Sequence, residues 1–371
     1  MKKLVSVFLA AVLLLASTVC FAGAEEISFG ATTIIYHLGF GTPESYSRTS
    51  LGGTLDVETE PNGGWTTREG YAFAGWAENN GGVVKYLGGE ELSGSHELYA
   101  VWCPTALEAD EVFSFSNAKR YFTTDERDTY LLSKSDSDML QKNIYKTFGV
   151  TPIPGVALSV VLSTYPNWKW KGSCYGISTV TALQHYGLLD VKALSNAESM
   201  NDVELNDELV SIIDYYQANA ATSWLCENKA LKSSTKTYAA SMKDMFESVK
   251  SGKIVLYTFY EGDAFVTAGH TVLFTGAYDD AQGNHYLVTY DCNHPYRYSS
   301  GRKTDRFVLS PDFKRMTDND GDTVGAANWT DLFLQFDSFR IDGKGKTSSW
   351  YSAFFAQIGK AFVRLFSAIS M

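Results

Sequence analysis

Cysteine is scarce and scattered in this chain, five in 371 residues. No two form a C-x-x-C pair, and none has the Cys/His spacing of a zinc site, which argues against a disulfide scaffold or a metal-stapled fold. Cationic residues are also short: 31 Lys and Arg stand against 42 Asp and Glu, for a formal charge of −11 and a pI near 5.1. Such a chain repels phosphate instead of releasing its counterions, so nucleic acid is set aside as a partner. Low hydrophobicity, the mark of a disordered chain, is absent, since 45% of the residues are apolar. The length suits about two domains with packed cores.

What is present begins with an address. Lys2-Lys3 precede an apolar run from Leu4 to Ala16, and Ala22-Gly23-Ala24 closes the stretch before Glu25-Glu26. A basic region, an apolar region and an A-x-A site are the layout of a secretory signal peptide, expected to be removed after Ala24. An uncleaved anchor is the alternative. Cys20 follows Val19, where lipoprotein signals resemble one another in carrying a small residue. Loss of residues 1–24 leaves 347 residues with a formal charge of −13 and four cysteines, Cys103, Cys174, Cys226 and Cys292. If one is a working thiol, at least one other is unpaired. The expected location is secreted or cell surface, in a bacterium.

Residues 25–103 are rich in Gly, Thr and aromatics. Short alternating runs (Thr33–Tyr36, Val83–Tyr86, Leu98–Trp102) are separated by turns such as Pro61-Asn62-Gly63-Gly64 and Asn79-Asn80-Gly81-Gly82. This spacing predicts a small all-β module. Ile35-Tyr36-His37-Leu38, Arg68-Glu69-Gly70-Tyr71-Ala72-Phe73-Ala74-Gly75-Trp76 and Leu98-Tyr99-Ala100-Val101-Trp102 resemble the internalin B-repeat (Listeria–Bacteroides repeat) family. The resemblance covers about a fifth of the chain, in a single copy, and implies a β-grasp-like surface module without catalysis. Phe73, Trp76, Tyr99 and Trp102 are expected to form its core, with carbohydrate or protein binding as their alternative role and a cell-wall or surface ligand as the module's expected partner.

Cys103 to Glu111 reads as a short acidic linker, and residues 104–345 as a second domain. Helical periodicity is expected over Ser135–Lys146, Cys174–Tyr186, Leu205–Ala218 and Lys236–Val249, with a break at Thr151–Gly155. Strands are expected over Ile254–Tyr260, His270–Tyr278 and His285–Tyr290. Helices first and strands afterwards predict an α+β domain.

Two segments of this domain carry chemistry. Lys171-Gly172-Ser173-Cys174-Tyr175-Gly176 places a thiol where a helix begins, among Trp168, Trp170 and Tyr175. Helix N-termini favour the thiolate, the nucleophilic form. Downstream, His270 opens an apolar strand that turns through Asp279–Asn284 and returns to end at Asp291-Cys292-Asn293. In that hairpin His270 lies beside Asp291 and Asn293, the neighbours that orient a general base.

Gly172-Ser173-Cys174-Tyr175 matches the last four positions of the papain signature C-G-[SA]-C-[WY], with Lys171 at the first. With the later Gly-His and the strand ending in Asp and Asn, this order resembles the papain-like cysteine peptidase superfamily, its bacterial branches above all. The resemblance implies Cys174 as nucleophile, His270 as general base and acid, and Asp291 as the orienting residue, with Asn293 as the alternative. Two features depart from it. Cys174 and His270 are 96 residues apart, against roughly 130–150 in papain itself. No Gln precedes the nucleophile as oxyanion donor; Asn167 is the nearby side-chain amide that takes that role.

Other features carry less. Asp318–Asp322 lacks the Gly and Glu of an EF-hand, with Thr323 and Trp329 at those places. No metal or other cofactor is expected. In residues 346–371, Tyr351, Phe355, Ile358, Phe362, Leu365, Phe366 and Ile369 recur at helical spacing, with Lys360 and Arg364 interrupting a membrane span. This amphipathic tail is expected to meet a membrane interface, a partner protein or the catalytic domain. The expectation for the whole is an exported cysteine peptidase acting on a peptide or protein. The alternatives are an inactive adhesion or scaffolding protein, and a cell-wall amidase or acyl transferase using the same Cys-His pair.

Overall fold

A computed structural model describes residues 30–118, 122, 172–217, 237–260, 269–324 and 327–330. The expected signal peptide, the helix over 135–146, the break at 151–155, Trp168, Trp170, Cys226 and the tail over 346–371 lie outside these residues. No described helix is long and apolar enough to cross a membrane.

The N-terminal region folds into strands β1 (Thr32–His37), β2 (Ser45–Ser50), β3 (Leu55–Asp56), β4 (Tyr71–Ala77), β5 (Glu91–Leu92) and β6 (Ser95–Pro104). Four of them form a sheet in the order β2-β1-β6-β4, in which β1 and β6 run parallel. β3 and β5 pair separately. Alternation along β1 turns Ile34 and Tyr36 inward against Trp76 and Leu98. The Trp76 indole N–H donates to Glu58 O at 2.7 Å, so its one polar atom is satisfied inside. Phe73, Trp76 and Trp102 belong to this core as expected, but Tyr99 does not. The two-residue period that turns Leu98 inward turns Tyr99 outward, where its ring stacks on His37. Val83–Tyr86 forms no strand ladder; it makes single bridges at Val84 and Tyr86.

The C-terminal region is α+β. Strands β7 (Val255–Tyr260), β8 (Gly269–Asp279), β9 (His285–Tyr290), β10 (Arg306–Leu309), β11 (Met316–Thr317) and β12 (Ala327–Thr330) make one antiparallel sheet, ordered β11-β10-β9-β8-β7-β12. Helices α1 (Cys174–His185) and α2 (207–217) cover one face, where Ile177, Val180 and Ile213 join Leu256, Leu273 and Val288. α3 (Tyr238–Lys250) covers the other. Its Met242, Met245, Phe246 and Val249 recur at helical spacing and pack on Val255, Tyr257, Val272 and Phe274. Thr237 caps its N-terminus, accepting from Ala240 N–H, and Gly252 follows its end at φ +88°. A last short helix, α4 (Pro295–Ser299), follows β9.

The expected acidic linker is a buried seam. Thr105, Ala106 and Leu107 are no more than 3% exposed. Their polar groups find partners within the second region: Ala106 N–H donates to Thr275 O at 2.6 Å, and Lys303 Nζ donates to Thr105 Oγ1 at 2.7 Å. That ammonium is itself buried. Ala72, Ala74, Val84 and Cys103 join the core cluster of α1 and β8, and Arg306 donates to Phe73 O at 2.6 Å. The acidic side chains had concealed the apolar Ala-Leu pair that closes this seam. Gly276, at a register shift in β8, lets the seam close, because a Cβ there would stand 2.6 Å from Pro104 O. Gly276→Ala is therefore expected to lower the unfolding free energy by about 1–3 kcal/mol. A urea midpoint equal to wild type would contradict a seam this tight.

Candidate active site

α1 starts at Cys174 because Ser173, with φ −118° and ψ 40°, is still outside helical geometry. The first N–H groups of a helix have no partner within it. Gly176 N–H donates to Gln217 Oε1 of α2 at 2.9 Å. Among the described residues Cys174 N–H has no acceptor. The thiol is buried between α1 and the start of β8, where Ser178 Oγ donates to Thr271 O at 3.3 Å.

The hairpin pairs as its sequence indicates. Leu273 faces Tyr290 in the β8–β9 register, so His270 and the residues after Tyr290 share one end of the sheet. His270 Nε2 lies 2.8 Å from Asp291 Oδ1. The same nitrogen lies 3.3 Å from Asn293 Nδ2, and Asn293 N–H donates to Asp291 Oδ1 at 2.8 Å. Both candidate orienting residues thus meet one ring nitrogen, with the carboxylate nearer. The imidazole also interacts with the Cys174 side chain, each favouring the charged form of the other. With Nε2 committed to Asp291, Nδ1 is the nitrogen left for sulfur.

The electrostatics follow from this line of three. Burial pushes the Cys174 thiol up, but the hydrogen bond and charge of His270, aided by Thr271, bring it below the ordinary thiol range. Burial likewise opposes a charge on His270, yet hydrogen bonds to Asp291 and Cys174 hold its proton up to about 10. Asp291 is desolvated as well and is nevertheless held below the usual carboxylate range, chiefly by His270. All three shifts favour a thiolate, an imidazolium and a carboxylate in sequence. The two other described cysteines are different: burial raises Cys103 to about 11 and Cys292 well above the usual value.

Cys174, His270, Asp291 and Asn293 are therefore brought together. Asn167 lies outside the described residues. Two residues of the site carry no mark in the sequence: Gln217 at the end of α2, and Asn117, whose side chain meets both Ser173 and Asn293. Each is an amide in a stretch with no motif around it. The acidic turn at Asp318 is satisfied by its own backbone, Asp318 Oδ1 accepting from Asp320 and Asp322 N–H. Among the described residues no cluster of His, Cys, Asp and Glu is arranged to hold a metal.

The chain matches no family model, no curated protein and no solved structure.

Iodoacetamide is expected to alkylate Cys174 ahead of Cys103 and Cys292, with a pH inflection below that of a free thiol. Peptide mapping by mass spectrometry of the native protein reads this directly. Equal labelling of the three, or an inflection in the ordinary thiol range, would contradict the thiolate–imidazolium pair.

Proposed function

We propose that this protein is an exported cysteine peptidase of papain-like type, hydrolysing peptide bonds through Cys174, His270 and Asp291. One observation carries the reading: a partly buried imidazole hydrogen-bonded to a carboxylate and coupled in charge to a thiol at a helix N-terminus. A structural histidine needs neither the thiol nor the retained proton, whereas acyl transfer needs both.

The chemistry follows from the placement of the groups. The Cys174 thiolate attacks the carbonyl carbon and a C–S bond forms. The resulting oxyanion is met by Cys174 N–H, the donor left open by the helix start. His270 passes its Nδ1 proton to the leaving nitrogen as the C–N bond breaks, leaving a thioester. A water molecule, giving its proton to His270, then attacks the thioester, and the C–S bond breaks to restore the thiolate. Throughout, Asp291 holds the ring and compensates its charge, as the carboxylate of a triad does. The substrate class in this reading is a peptide or protein. The signal-like N-terminus and the internalin B-repeat resemblance support export and a surface setting, with the module as the candidate contact to cell wall or surface ligand. The tail over 346–371 is the candidate contact to a membrane.

Activity on a peptide library is expected to fall at least about a thousandfold in Cys174→Ala and in His270→Ala. Asp291→Ala is expected to cost more than Asn293→Ala, as the carboxylate is the nearer partner. The rate should fall as pH drops through the lowered Cys174 value, where the thiolate is protonated. It should fall again as pH rises through about 10, where His270 loses the proton owed to the leaving amine. Cleavage that survives Cys174→Ala would refute the assignment.

A further inference from the structure

The chain that leaves the β module does more than close the seam. After β6 it runs past Leu107, is tied by Ser114 Oγ to Asn201 O at 2.8 Å, and reaches the catalytic groups at Asn117. Asn117 N–H donates to Cys292 O at 2.8 Å, which fixes its backbone to the segment after β9 that carries Asp291 and Asn293. Its side chain bridges to the other half of the site. Oδ1 accepts from Ser173 N–H, next to the nucleophile, and Nδ2 donates to Asn293 Oδ1 at 3.0 Å. The approach is close: a Cβ on Gly172 would stand 2.7 Å from Asn117 Oδ1.

This bridge has a direction. Ser173 N–H can only donate, so the oxygen of Asn117 must face it and the nitrogen must face Asn293. Asn293 is then fixed in turn, with its oxygen toward Asn117 and its nitrogen toward His270 Nε2 at 3.3 Å. The Nε2 proton then belongs to Asp291 Oδ1 at 2.8 Å, and the Asn293 amide nitrogen, itself a donor, is a neighbour of Nε2 and not its hydrogen-bond partner. We infer that Asn117 is a positioning residue of the thiol site: through Asn293 and Cys292 O it ties the segment carrying Asp291 to the loop carrying Cys174. The inference rests on the thiol-hydrolase reading above. It also gives the module a role in catalysis, because its closing strand feeds the segment that delivers Asn117.

Without the Asn117 side chain, Ser173 N–H loses its acceptor and the Cys174 loop loses its tie to the segment that carries Asp291. The thiol and the imidazole are then held less firmly together, and the thiolate loses part of its counter-charge. The test is the pH dependence of Cys174 alkylation by iodoacetamide in the full chain, for wild type, Asn117→Ala, Asn293→Ala and the double variant. Asn117→Ala is expected to move the inflection up by about one unit and slow alkylation at neutral pH about tenfold. The double variant is expected to shift no further than the larger single one, since both act on one element. Asn293→Ala breaks the same bridge from its other end without adding a charge, so it should show the upward shift even if Asn117→Ala fails to fold, and an unchanged inflection there would equally overturn the inference. An inflection unchanged from wild type in a folded Asn117 variant, or fully additive shifts, would overturn the inference while leaving the thiol reading intact. A wild-type inflection in the ordinary thiol range would overturn both.

Discussion

His270 stands at the end of a covered sheet, where loss of hydration works against any charge on its ring. Asp291 on one nitrogen and Cys174 on the other reverse that penalty and hold the proton up to about 10. A buried ion keeps its charge only when its partners are close and hydrogen-bonded. The site thus depends on the meeting of three groups from separate places: the first residue of α1, the second residue of β8 and the residue after β9. Displacing any one leaves the others buried with an uncompensated charge or an unmet donor.

The rest of the fold fixes that meeting point. The six-stranded sheet is covered on both faces, by α1 and α2 on one and α3 on the other, so the ends of β8 and β9 have little freedom to shift. α1 is held to β8 through Ser178 and to α2 through Gln217. The β module is part of the same body, since its Ala72, Ala74 and Val84 lie in the α1 core and Lys303 is buried against the connecting segment. The region with the surface-module resemblance is therefore built into the frame of the site.

Much of this was legible in residues alone. The helical recurrence of Met242, Met245, Phe246 and Val249 marked α3, and Gly-Ser-Cys before a helical run marked the candidate nucleophile. The hairpin from His270 to Asp291 was readable because apolar alternation and a polar turn fix strand register. Three things were not. Asp291 and Asn293, two residues apart, stay on one side of an extended chain, so only distances separate them: 2.8 Å against 3.3 Å. The seam was masked by Glu108, Asp110 and Glu111, whose charge dominates the composition of a segment held by its apolar neighbours. Asn117 is 56 residues from Ser173 and 176 from Asn293. No local pattern announces an amide whose meaning lies in two long-range hydrogen bonds.

The central claim is that the buried pair rests as thiolate and imidazolium. The most direct measurement is the imidazole nitrogen resonances of His270, followed by NMR across the alkaline range in wild type and Cys174→Ala. The account predicts an imidazolium in the wild type up to a pH near 10, and an earlier loss of the proton once the sulfur is removed. A wild-type His270 that is neutral above pH about 7, as an ordinary histidine is, would contradict it.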